Sequence, residues 1–198
     1  MLLLESEPTV FAVSPRNEEF AIAPLVLAFA SDPAVRWMYP DAHQYRLFFP
    51  RFVRAFGGKA FALGTAHHVD DNRGTALWLP PGVMPDDEAL MPLIQETVEA
   101  DRVDEVFALL EQMGAYHPTA PHWYLPLIGV DPRHQGQGLG SAMLEQMLAA
   151  FDRDGAVAYL EATSGRNVPL YERYGFEARG EIQAGSSPTL FAMAREPR

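Results

Sequence analysis

One segment constrains this chain more than any other. In WYLPLIGVDPRHQGQGLGSAM an apolar run that reads as a strand over 123–130 leads into three alternating glycines and then a helical pattern over about 138–153. Gly136, Gly138 and Gly140 let main chain approach a ligand, and their N–H groups join the unpaired donors of a helix N-terminus, which carry about half a positive charge. Such a place suits a pyrophosphate. Glycines between strand and helix also serve tight turns alone, so the spacing by itself leaves both uses open. A dinucleotide site on a βαβ unit is a third reading, with Glu161 about where a ribose-binding acid would lie. Against it, five residues, Asp131 to Gln135, separate strand from first glycine, and Ser141 fills the last place of G-x-G-x-x-G. Too few βα units surround the loop to build a doubly wound sheet.

The rest of the chain supplies the elements around that loop. A short strand is expected over 10–13 and a helix over 17–29, with Ser31-Asp32-Pro33 offering a cap and a proline at the first helical position of a further piece. Tyr39-Pro40 breaks that piece, and Asp41 caps a helix carrying Tyr45, Phe48, Phe49, Phe52, Val53 and Phe56, kinked at Pro50 and stopped by Gly57-Gly58. Two β segments are expected over 60–69 and 74–79, joined by the turn Asp70-Asp71-Asn72-Arg73. Periodic apolar positions over 86–113 fit one long helix or two short ones. After the glycine loop, strands are expected over 157–163, 176–182 and 190–194, with a short helix over 168–174. No repeat, low-complexity tract or linker divides the chain.

Composition narrows the function classes. A length of 198 residues suits one core, so a single domain over 1–198 is expected. The opening MLLLESEP is too short in its apolar run for a signal peptide or membrane span and has no basic residue before it, so a cytoplasmic protein is expected. A formal charge of −11 disfavours nucleic acid and anionic lipid as partners. Zero cysteines remove disulfides, thiolate metal sites and a cysteine acyl intermediate. The six histidines, including the adjacent His67 and His68, form neither H-E-x-x-H nor H-x-x-x-H, so no metal is expected.

Arg133-His134-Gln135-Gly136-Gln137-Gly138 matches the Q/R-x-x-G-x-G/A motif, and in this the chain resembles the GCN5-related N-acetyltransferase (GNAT) family. YLEATSGRNVPLYERYGF is similar to that family's second signature, with Glu161, Asn167, Tyr171, Gly175 and Phe176 in its places. The likeness is strongest from Trp123 to Arg195, and the strings WYLPLIGVDP, QGQGLGSAM and PLYERYGF look most like the puromycin-acetyltransferase branch. Only three residues separate Asn167 from Tyr171, fewer than in many members. The resemblance implies an α+β fold: a mixed, mostly antiparallel sheet with helices on both faces, splayed at its centre between the strands ending near Val130 and Thr163. It also implies acetyl-coenzyme A as co-substrate, with the pantetheine arm in the gap. Residues 121–198 would form the CoA-binding half and 1–120 the acceptor-side half, acting as monomer or homodimer on a small-molecule amine.

By that resemblance the cofactor-binding residues are Ile128, Gly129, Val130, Arg133, Gln135, Gly136, Gln137, Gly138, Leu139, Gly140, Ser141, Asn167 and Tyr171. The residues independently point to a disturbed strand: Pro126 cannot donate to a sheet ladder and Gly129 weakens one, so a bulge or opened edge is expected there. An alkylamine, protonated near neutral pH with a pKa near ~10, needs a base before it can attack a thioester. Glu161 at a strand end is the first candidate, with His122 and His117 in reserve; a solvent-facing or ion-paired Glu161 is the plainer alternative. Tyr171 is the candidate acid for the leaving thiolate, against a plain packing role. Trp37, Met38, Tyr39 and Trp78 are the candidate acceptor-pocket side chains, each equally at home in a core. Transfer of a longer acyl group, or CoA binding without catalysis, would use the same residues.

Overall fold

Seven strands form one sheet of order β1-β2-β3-β4-β5-β7-β6. A computed structural model describes residues 7–198, so the opening MLLL run lies outside the described residues. The strands are β1 Val10–Ala12, β2 Ala66–Val69, β3 Gly74–Leu79, β4 His122–Val130, β5 Val157–Ala162, β6 Glu177–Ile182 and β7 Leu190–Arg195. All neighbours are antiparallel except β4 and β5, which are parallel and joined by a crossover through a helix.

Helices cover both faces. One face carries α1 Glu18–Ala28, α2 Pro33–Met38, α3 Ala42–Gly57, α5 Asp87–Thr97 and α6 Val103–Tyr116, packed over a core that includes Leu25, Phe49, Ile94, Tyr124 and Tyr159. The other carries α7 Leu139–Asp154 and α8 Val168–Arg173 over Trp78, Met143, Phe151 and Phe176. This single domain of mixed sheet with helices on both sides is the α+β architecture expected.

Local signals explain most boundaries. Asp32 Oδ1 accepts from Ala34 N and Val35 N at 3.0 Å, with Pro33 at the first helical position. Asp41 Oδ1 caps α3 through His43 N at 2.9 Å and Gln44 N at 2.8 Å, and that helix runs on through Pro50. The periodic stretch 86–113 resolves into two helices, α5 and α6, with a break after Val98.

One expectation is corrected. The stretch 60–69 is not a single strand: Lys59–Leu63 forms a short helix, α4, before β2 begins at Ala66. KAFAL consists largely of good helix formers, Ala60 and Phe61 bury from one turn, and Gly64 at φ 70° ends it in the left-handed conformation.

Candidate active site

The strand β4 is where the sheet is interrupted. Its register with β3 shifts between Leu77 and Leu79, so that Leu125 and Pro126 together stand opposite Trp78. This bulge falls where Pro126 has no N–H to give. On the other side β4 pairs with β5 only through His122–Val157, Trp123–Ala158 and Tyr124–Tyr159. Beyond Tyr124 the two strands part, and the opening becomes the mouth of a cleft of about 630 Å³. Gly129 has a packing reason as well, since a Cβ there would meet Ala28 Cβ at 2.7 Å. Only glycine lets α1 lie this close to β4.

The cleft draws on both ends of the glycine segment. Ile128, Gly129 and Val130 line one wall, and Gln135, Gly136, Gly138, Leu139, Gly140 and Ser141 the other, with Asn167 and Tyr171 across from them. Gly136 and Gly138 have φ of 76° and 79°, a conformation that turns successive N–H groups inward and that L-residues rarely adopt. The free donors of the α7 N-terminus follow directly. Two cations that sequence reasoning passed over, Arg166 and Arg173, also line the cleft, and among the described residues neither is held in an ion pair. Glycine donors, a helix N-terminus and two arginines fit the phosphates of coenzyme A in a protein of net charge −11.

Two residues expected at the cofactor are placed elsewhere. Arg133 turns back on Asp131, with Nη2 2.6 Å from Oδ2, and does not line the cleft. That pair, joined by Arg133 N on Asp131 Oδ1 at 2.9 Å, holds the Asp131 carboxyl down at about 2 and stiffens the start of the glycine loop. Gln137 sits exposed between two inward glycines and also does not line the cleft. Alternate residues of such a loop point apart, so a motif match does not by itself assign a contact.

On the far side of the splay lies a second space, an apolar cavity of about 70 Å³. Trp37 and Met38 from α2, Phe52 and Phe56 from α3, and Leu109 and Met113 from α6 contribute to its walls. Tyr39 and Trp78 do not. Tyr39 is fully buried with its hydroxyl 2.9 Å from Thr97 Oγ1, because α2 ends there and turns the ring toward α5. Trp78 faces the opposite side of the sheet and packs edge-on against Phe151 of α7. The period of two along β3 put it there, and counting aromatics could not.

Cleft and cavity share four residues: Phe29, Pro126, Glu161 and Thr163. Of these four Glu161 carries the charge, with a side chain 3% exposed and, among the described residues, no hydrogen-bond partner for its Oε1. A carboxylate oxygen buried in this way is costly unless a ligand or proton completes it. Asp32, also in the cleft, accepts from Thr163 Oγ1 and so ties the α2 cap to the end of β5; its carboxyl is raised by burial, against the lowering effect of its three donors. Tyr171 is buried against Phe176, and burial together with the nearby Asp32 charge pushes its phenol up, so it stays a hydroxyl donor across the neutral range.

Behind Glu161 the loop between α6 and β4 gathers His117 and His122. His117 Nε2 lies 3.5 Å from Glu161 Oε1, His117 Nδ1 3.0 Å from His122 Nε2, and His122 Nδ1 2.8 Å from Ala120 O. An edge-on contact with Tyr124 and a tilted one with Tyr159, at centroid distances of 4.6 and 4.5 Å, fix the His117 imidazole. Burial lowers the pKa of His122, outweighing the Ala120 carbonyl, so it is neutral at neutral pH. Both tyrosine hydroxyls face the Glu161 carboxylate; burial first, and its charge second, raise them. Among the described residues no group of three or more His, Asp or Glu could hold a metal ion, and no helix is long and apolar enough to cross a membrane.

This geometry has relatives. Residues 99–178 match the model of the acetyltransferase (GNAT) domain. The chain is 26% identical over 202 residues to an uncharacterized N-acetyltransferase of Schizosaccharomyces pombe, covering 93% of this chain and 82% of that protein. Among solved structures, a histone acetyltransferase HPA2 and related acetyltransferase from Corynebacterium glutamicum superposes with a TM-score of 0.69 at 27% identity, over 98% of each chain. Arylalkylamine N-acetyltransferase 2 from Aedes aegypti shares the fold, with a TM-score of 0.67 at 14% identity over 98% of this chain and 100% of its own. The likeness to the GNAT acetyltransferase domain thus spans residues 99–178, from just after α5 into β6, and the overall fold is shared with these acetyltransferase structures.

Proposed function

We propose that this chain is an N-acetyltransferase that moves an acetyl group from acetyl-coenzyme A directly to the primary amine of a small acceptor with an apolar body. The observation that carries this reading is Glu161, the one charged side chain common to the donor-side cleft and the apolar cavity. When bound, acetyl-coenzyme A supplies an activated thioester carbonyl. The loop 135–141 and the α7 N-terminus would hold its phosphates, and the freed edge of β4 would pair with its amides as an added strand does. Glu161 takes a proton from the amine, whose nitrogen then forms the new C–N bond as the C–S bond breaks. Tyr171 donates a hydrogen bond to the departing thiolate. With a raised phenol pKa it stabilises that sulfur without needing to surrender its proton.

The cavity argues for the apolar acceptor body. Its walls come from aromatic and aliphatic side chains of α2, α3 and α6, and Glu161 is the only charge among them. The finer likeness to the puromycin-acetyltransferase branch belongs to the same reading and rests on the WYLPLIGVDP, QGQGLGSAM and PLYERYGF strings. So does a cytoplasmic enzyme working as monomer or homodimer without nucleic-acid or membrane partners. Release of free thiol from acetyl-coenzyme A across a panel of amines tests it. Turnover with arylalkyl- or alkylamines is expected. Binding of coenzyme A with no turnover of any amine would leave a CoA-binding sensor instead, and a tenfold preference for butyryl-coenzyme A would make the donor a longer acyl group.

A further inference from the structure

Three hydrogen-bonding constraints determine where protons sit behind Glu161. The Ala120 carbonyl can only accept, so His122 must carry its proton on Nδ1. Neutral His122 then presents a bare Nε2, which obliges His117 to donate from Nδ1. His117 in its neutral form therefore turns an unprotonated Nε2 toward Glu161 Oε1, an oxygen with no hydrogen-bond partner within reach among the described residues, although the Tyr124 and Tyr159 hydroxyls face the same carboxylate. Two acceptors 3.5 Å apart, both shielded from solvent, are placed to share one proton. An isolated structural histidine would not need its tautomer set by a second one anchored on main chain.

From this arrangement we infer that His117 is a proton-accepting partner of Glu161 and that His122, held by Ala120, is the positioning residue that keeps His117 in the receiving tautomer. The inference rests on the proposed acetyl transfer. The proton leaving the amine passes to the Glu161 carboxylate and on to Nε2 of His117, giving an imidazolium whose Nδ1–H still donates to His122. The carboxylate is thereby restored as the C–N bond forms and the thiolate departs. When product leaves, the imidazolium returns the Nε2 proton to solvent through the opened site, and neither ring has to flip. Other titratable groups facing this pair are Tyr124 from β4 and Tyr159 from β5, with Tyr116 of α6 beside Tyr159. All three are phenols; the Tyr116 hydroxyl is engaged by Glu181 O at 3.3 Å. No lysine or arginine ion-pairs with Glu161 among the described residues.

Two measurements on the full chain test this. Nitrogen-15 NMR of the imidazoles, assigned with single His→Gln variants, should show both His117 and His122 as Nδ1–H tautomers when neutral. His122→Ala should release His117 to a mixture of tautomers. Finding His117 with its proton on Nε2, or unmoved by His122→Ala, overturns the inference whether or not any amine is turned over. In kinetics, His117→Gln should lower kcat by about tenfold or more, leaving coenzyme A affinity and acceptor KM within about twofold. It should also displace the acid limb of the kcat profile, since the proton's resting place changes from an imidazole to the carboxylate alone. An unchanged kcat and pH profile, with chemistry shown to limit the rate, sinks it. A parent that binds coenzyme A but turns over no amine defeats the acetyltransferase reading instead, and the tautomer result then stands on its own.

Discussion

The two halves of the candidate site are built by different means. Half of the donor-side cleft's lining comes from one stretch, residues 125–141, in which a bulged strand end, two left-handed glycines and a helix N-terminus set the backbone. The acceptor-side cavity is made of side chains contributed by α2, α3, α6, β4, β5 and β7, from Phe29 to Leu190. A backbone site needs particular conformations, and conformation at glycine or proline is written locally. A side-chain cavity needs only apolar surface, and many residues can line it. The first half is therefore recognisable across distant chains, while the second is free to follow its acceptor.

Glu161 belongs to both halves, so its loss should do most. Glu161→Gln keeps the shape and removes the charge; kcat should fall by about 10²–10⁴, with coenzyme A binding by calorimetry within a few-fold of the parent. A variant matching the parent's turnover and pH profile would mean the two halves do not meet at a base. Next in size is Gly138→Val, which touches only the backbone half. Beyond its two chain neighbours, no atom of the described residues lies within 4 Å of the position a Cβ would take, so the cost is the left-handed φ of 79°. A β-branched residue there costs on the order of 1–3 kcal/mol locally, or else flips the loop. Coenzyme A affinity should fall at least about tenfold, and an unchanged titration would break the assignment of the loop.

Leu109→Phe probes the other half alone. The added ring enters the apolar cavity between α6 and α3, so acceptor KM should rise by roughly tenfold with coenzyme A affinity unchanged, at a packing cost of about 1–3 kcal/mol. A parallel loss of coenzyme A binding would show that the halves are coupled through the core.

The smallest effect is expected at Asp152, which belongs to the donor half but not to its cleft. Arg195 Nη1 and Nη2 each lie 2.7 Å from its two oxygens, and with Arg198 N they hold its carboxyl at about 2, below the ordinary value of 3.8. A depressed carboxyl contributes stability above its unfolded pKa and loses it as pH falls through the folded one. Asp152→Asn should lower Tm at pH 7, and the difference should close between about pH 4 and pH 2. Neither substrate's affinity should change. A Tm difference that persists at pH 2 would assign the effect to lost packing instead of charge.

Much of this was legible in residues that act locally. Asp32-Pro33 and Asp41 start helices because their side chains reach main-chain donors two and three residues on, and Gly136 and Gly138 mark a turn that other residues resist. Pro126 announced the bulge for the same reason, a missing N–H. Such signals need no knowledge of what packs above them. The α4 helix was misread because KAFAL has no side-chain cap at its start and is too short for its period to show.

What the tertiary structure alone decided is which side chains face one another. Tyr39 and Trp78 were as plausible for the acceptor cavity as Trp37 and Met38, and only the end of α2 and the facing of β3 separated them. Arg166 and Arg173 entered the cleft because α8 and the loop before it close over it. Glu161 could be named from its strand, but its unpartnered oxygen could not, nor could His117 and His122, which a turn of the chain brings behind it. The sequence by itself determined the backbone: strand, bulge, glycine turn, helix start, each set by the conformational limits of one or two residues. Proximity between residues 117 and 161, or 32 and 163, depends on how seven strands order themselves in a sheet, a property of the whole hydrophobic pattern that no single segment contains.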